Sequence, residues 1–276
     1  MTSTDRLLPL LMLYVACGVL MGCERGAAPG DDANANAKPG DVDLTKMVEV
    51  EIHDVGLGAP MLAARLQIPQ GWQARGGIHW DERAECLASA MRIEWAASSP
   101  DGARAIEFVP GSTWQVKGFE LQRNPCPVSK MASVRDYLEA LARERHAGGT
   151  IVDYRDRPDI VAGLQQQAAL AHGTLEGGAT IERSMQSGEV LVHYEENGQP
   201  VDETILATAN VTSIIAPEAR ASRLFGVGNA FIVRAPAGQL DHGLAEAVRR
   251  SFRLDPQWQA QVQKHVAERA AAAQEK

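Results

Sequence analysis

A basic surplus is the first thing this sequence lacks: Lys and Arg number 27 against 35 Asp and Glu, a formal net charge of −8 over 276 residues. Sequence-independent nucleic-acid binding uses Lys and Arg to displace counterions from phosphates, so that class is excluded, as is a polybasic membrane contact. Runs of like charge long enough for an interaction tail are absent, and so are internal repeats. No His-Glu-x-x-His pair, Gly-x-Ser-x-Gly elbow or Walker loop occurs. Gly226-Val227-Gly228 fails as a dinucleotide loop, because a strand pattern follows where a helix N-terminus is needed to receive the phosphate. The seven histidines (53, 79, 146, 172, 193, 242 and 265) are scattered, so no metal site and no cofactor is expected. Apolar runs of membrane-spanning length are missing too. The longest, residues 7–22, has an apolar core shorter than the roughly 20 residues a spanning helix needs.

That stretch, LLPLLMLYVACGVLMG, follows Arg6 and has the length and polarity of a secretory h-region. It closes on Leu20-Met21-Gly22-Cys23, which resembles the lipobox of bacterial lipoproteins: an aliphatic residue at −3, a small one at −1 and the cysteine that becomes the new N-terminus. Met21 is bulkier than the usual −2 residue. The resemblance implies that residues 1–22 are a signal peptide and that Cys23 carries a diacylglyceryl group, with its freed amine open to a further acyl chain. Two or more chains make a stable anchor, since each buried methylene contributes only about 0.8 kcal/mol. Cys17 would leave with the h-region. Glu24 stands where inner-membrane retention favours Asp, which implies the periplasmic face of the outer membrane. Removing residues 1–22 takes away one charge of each sign, Asp5 and Arg6, so the mature part stays at −8.

Residues 23–45 read as a lipidated N-terminus and a tether, because 24–43 have no aliphatic branched residue before Val42 and cannot offset their ordering entropy. A domain over 46–254 follows. With 45% hydrophobic residues the chain can build one substantial core or two small ones. Val48, Val50 and Ile52 alternate with Glu49, Glu51 and His53, the pattern of a half-buried strand. Strands are expected also at 61–68, 78–80, 91–96 and 103–109, with Pro100-Asp101-Gly102 as a tight turn, together an antiparallel meander. Ser133 caps a helix with Val134, Leu138, Leu141 and Ala142 on one stripe, stopped by Gly148-Gly149. Further strands are expected at 149–155, 165–172, 178–185, 189–195, 203–215 and 228–234, with Asn197-Gly198 turning a hairpin. A helix at 239–252 carries Leu240, Leu244, Val248 and Phe252 at four-residue spacing. The segment 255–276 forms a helical tail in which Trp258, Val262 and Val266 recur every four residues. That stripe either docks the helix on the domain or binds a partner.

Several of these features together resemble the Mog1/PsbP-like fold. They are the hairpin ending in Ile68-Pro69-Gln70-Gly71-Trp72, the Ser99-Pro100-Asp101-Gly102 turn, the helix from Ser133, Arg250-Ser251-Phe252-Arg253 closing the late helix, and Asp255-Pro256-Gln257-Trp258 after it. The resemblance spans about residues 47–258. It implies an α+β sandwich around an antiparallel sheet, and members that are mostly binding or assembly modules without a shared catalytic set.

Beyond Cys17 and Cys23, only Cys86 and Cys126 remain, and two cysteines in an exported domain most often pair. Free thiols, a redox pair and metal ligation are the alternatives, the last two weakened by the absence of Cys-x-x-Cys and of a full zinc set. In a chain only 5% aromatic, Trp72, Trp80, Trp95 and Trp114 serve either as core anchors or as the lining of a ligand groove. His79-Trp80-Asp81-Glu82 sets a base beside carboxylates, although neighbours on a strand point to opposite faces. Asp153, Asp156 and Asp159 could hold a cation, against the repulsion of Arg155 and Arg157. The expected function is therefore a lipid-anchored, non-enzymatic module that binds another envelope protein. A small-ligand binder with a tryptophan groove is the second reading, and a hydrolase with dispersed residues, His79, His172 or His193 among them, the third.

Overall fold

The computed structural model describes residues 46–122, 124–162, 164, 172–174, 178–216 and 221–274. Cys23, the tether, and all but His172 of the strand expected at 165–172 lie outside the described residues.

The first hairpin forms as its alternation dictates. β1 (Met47–Asp54) pairs antiparallel with β2 (Met61–Pro69), from Met47↔Pro69 to Asp54↔Met61. Ile52 and Asp54 point inward with Ala64, Leu66 and Ile68 of β2. Next come β3 (Gln73–Trp80), β4 (Met91–Ser98), β5 (Ala105–Val109), β6 (Thr113–Val116) and the short β7 (Val128–Ser129). Helix α1 (Val134–Arg145) starts where Ser133 accepts the Asp136 amide, as the capping pattern predicts. β8 (Thr150–Asp156) and β9 (Gly173–Thr174) lead into two strands of 17 residues each, β10 (Thr180–Glu196) and β11 (Gln199–Ile215). Asn197 and Gly198, at φ 53° and 74°, make the two-residue turn between them. The chain closes with β12 (Ser222–Val227), β13 (Ala230–Pro236), α2 (His242–Ser251), β14 (Arg253–Leu254) and α3 (Pro256–Gln274).

The class is α+β, but the sheet is not the simple meander expected. Among the described residues, β1, β2 and β14 make one small sheet and the other eleven strands make a second. β11 meets β13 along its first half and β12 along its second, so β12 and β13 lie end to end on one edge. Opposite them β6 and β5 do the same, and β6 pairs parallel with β7. The break falls at Gly111, where a Cβ would sit 2.0 Å from the Gly228 carbonyl oxygen, so only glycine allows this backbone approach. One further expectation is corrected. The strands at 178–185 and 189–195 are one continuous strand, because the Tyr154 ring of β8 covers Gly188 and fills the gap its missing side chain leaves. The strand expected at 228–234 is β13, and β12, which precedes it, is not among the expected strands at all.

Alternation places a core on each face of the large sheet. Trp95, Phe108, Phe231 and Val233 pack with Leu66, Ile68 and the stripes of α2 and α3. Val190, Ile205, Ile232 and Phe225 pack with Tyr137 and Leu138 of α1 on the other face. The expected boundary at 254/255 does not separate two units: β14 pairs with β2, and Asp255 Oδ1 accepts the Gln257 and Trp258 amides that open α3.

Candidate functional site

Cys86 and Cys126 form a disulfide, with an S–S distance of 2.02 Å and both residues buried. It ties the loop after β3 to the loop before β7. Gln115 sits beneath the second loop, its amide donating to the carbonyls of Asn124 and Cys126 while its side-chain oxygen accepts the Leu121 amide.

The four tryptophans do not come together along one groove. Trp95 and Trp114 are core residues in the separate cores on the two faces of the sheet, and Trp72 and Trp80 are half-buried against the first of these. An aromatic-poor chain places its large rings where burial contributes most. Trp258, Val262 and Val266 are likewise 1%, 1% and 3% exposed, so the stripe of α3 docks on the domain and is not presented to a partner. A knot of polar contacts fixes it. Asp54, fully buried, accepts hydrogen bonds from the indole N–H groups of Trp80 (3.0 Å) and Trp258 (2.7 Å) and from the Gly56 amide (2.7 Å). Strand alternation marks Asp54 as inward-facing, a signal that sequence reading passed over.

The other sequence clusters also resolve into structure. Trp80 turns inward while His79 is exposed, and Glu82 faces His265 and Arg269 of α3. Asp156 accepts the Tyr154 hydroxyl at 2.7 Å, and Asp159 is gripped by Arg157 at 2.8 Å, so neither faces a common cation position with Asp153. Groups of three or more His, Cys, Asp or Glu able to hold a metal are absent among the described residues. His172 contacts the Arg183 carbonyl oxygen. His193 Nδ1 lies 2.8 Å from Asp202 Oδ1, and Asp202 Oδ2 accepts the Gly238 amide. Burial, the largest single influence on Asp202, opposes its charge, but the Gly238 N–H and His193 together hold its carboxyl below the usual range.

Two features escaped the sequence. On the α1 face, fully buried Glu203 receives Arg145 (3.1 Å) and His146 (3.0 Å), while Arg145 also reaches Glu107. The imidazole stacks on Tyr194, whose phenol is pushed up to about 12, chiefly by burial. This network anchors the C-terminal end of α1 to the sheet. On the opposite face a cleft of about 250 Å³ opens between α2 and the strands β8, β10, β11 and β13. Its floor is Thr204, Leu206 and Phe231, and Ala245 faces them from α2. Arg155, Arg157 and Arg249 stand around it with Glu189 and Glu246. Register explains the grouping, because Arg155 lies opposite Glu189 and Leu206 opposite Phe231, bringing residues far apart in sequence onto one face.

No protein-family model matches this chain, and no curated protein sequence does. Among solved structures it is similar to LpqN, described as involved in cell envelope biogenesis of Mycobacterium tuberculosis, at 12% identity and a TM-score of 0.21. The match covers 76% of this chain and 92% of that one. So low a score supports neither a fold nor a function here. Among the described residues no helix is long and apolar enough to cross a membrane.

Proposed function

We propose that this chain is a bacterial lipoprotein of the cell envelope, anchored through acyl chains on Cys23, whose Mog1/PsbP-like domain is a non-enzymatic accessory module for another envelope protein. The observation that carries the reading is the buried Cys86–Cys126 bridge, which uses every cysteine after Cys23 and suits an oxidising compartment. The lipobox supplies the route there and Glu24 the outer-membrane address. Metabolic labelling with palmitate should mark the protein, and Cys23→Ser should release it to the soluble fraction. An unlabelled protein that still sediments with membranes after that change refutes the anchor.

The cleft favours a second reading, in which the domain holds a small ligand. It has an apolar floor, polar groups of both charges at its walls, and a position open to solvent between helix and sheet.

A further inference from the structure

Three arginines and two glutamates line the cleft, and Asp159 beside it holds one of the arginines, Arg157. The two acids are already engaged. Glu246 takes both its hydrogen bonds from Arg249, at 2.7 and 2.8 Å, and Glu189 accepts from Arg157 at 3.1 Å. Arg157 is committed in turn, with its remaining donors on Asp159. Arg155 is the remainder. Its ion pair among the described residues is a 3.9 Å contact to the Glu189 oxygen that Arg157 already occupies, and its side chain is 54% exposed at the rim. Below it lie the buried side chains of Leu206 and Phe231. A guanidinium with donors to offer thus stands over an apolar recess.

We propose that this cleft binds a small amphipathic anion, a carboxylate or phosphate ester whose head meets Arg155 and whose apolar body lies on Leu206 and Phe231 against Ala245. Charge complementarity selects the head, because the engaged acids leave a cation to be answered and a planar guanidinium suits carboxylate or phosphate oxygens. Volume limits the body: 250 Å³ is the liquid share of about eight water molecules, room for roughly eight carbon atoms and not for a long acyl chain. The inference rests on the small-ligand reading and not on the lipid anchor.

Calorimetric titration of the chain from residue 23 onward, carrying Cys23→Ser so that no acyl chain of its own competes, tests it. Octanoate and octyl phosphate should each bind saturably at one site, and their relative affinity tells which acid the site prefers. Acetate, inorganic phosphate, octyl glucoside and octyltrimethylammonium should bind at least tenfold more weakly, by about 1.4 kcal/mol. Arg155→Gln should weaken octanoate about five- to tenfold and Arg155→Lys less, with unchanged melting temperatures. Ala245→Phe, which fills the recess, should abolish binding. If octyltrimethylammonium binds as well as octanoate, or Arg155→Gln leaves octanoate affinity unchanged, the anion assignment is overturned while the cleft remains a ligand site. If no octyl compound of any charge binds, the small-ligand reading falls with it.

Discussion

Asp54 is a carboxyl group held away from water with three N–H donors and, among the described residues, no hydrogen-bonded cation. Its environment works because the Trp258 indole N–H, buried beside it, would itself be unsatisfied without it. Asp54→Ala would leave two indole N–H groups and one amide without their acceptor, and Asp54→Asn would turn a donor toward a donor. We expect Asp54→Ala to cost about 2–4 kcal/mol. That corresponds to a fall of about 5–15 °C in melting temperature by circular dichroism. A variant melting like the parent would show that the indoles find other partners. Glu203 is a second fully buried carboxyl: Glu203→Ala takes the acceptor from His146 and leaves Arg145 with Glu107, and should destabilise by about 3–5 kcal/mol in urea unfolding. The inward placement of both was legible in alternation, Val50-Ile52-Asp54 and Val201-Glu203-Ile205, but their partners were not. Glu203 meets residues more than fifty positions away, which no local pattern reports.

Local physics explains the elements that were foreseen. Ser133 caps α1 because its hydroxyl satisfies an amide that the helix cannot, and Asn197-Gly198 turns the long hairpin because both positions need positive φ. The four-residue spacing of Trp258, Val262 and Val266 also gave α3 its helix, but spacing alone does not say what covers the stripe. The domain itself covers it, so removing residues 256–276 exposes core and is no clean probe of partner binding. Trp258→Ala should cost about 3–5 kcal/mol and increase binding of a hydrophobic dye, whereas Lys264→Ala on the exposed face should change neither. The disulfide acts at the same scale. It closes a separation of 40 residues, for which chain entropy gives about 4 kcal/mol as an upper figure. Melting under reducing conditions should therefore fall well below the oxidised value. Equal curves would show that the loop is held by Gln115 alone. The end-to-end strands β5–β6 and β12–β13 stayed illegible because their pairing is set by the glycine approach at 111 and 228, a contact between distant segments.

For the whole molecule, one sheet with a core on either face accounts for both the buried rings and the cleft, which lies where α2 leaves the sheet uncovered toward β8. Its charge network also sets its response to acid. Carboxyls are held below their ordinary range by the Ala132 amide at Asp136, by Arg157 at Asp159 and by Arg249 at Glu246. A depressed folded value contributes stability that is fully present above the unfolded pKa and disappears as pH falls through the folded one. Urea midpoints should thus lose this contribution progressively below about pH 4.5. The lipid address is legible only as a motif, since Cys23 lies outside the described residues. The most direct measurement is the intact mass of the native protein extracted from membranes. A chain beginning at Cys23, heavier than its amino acids by a diacylglyceryl group and two hydrogens lighter for the Cys86–Cys126 bridge, is the expected result. A species that retains residues 1–22, or begins at Cys23 without added lipid, contradicts the account.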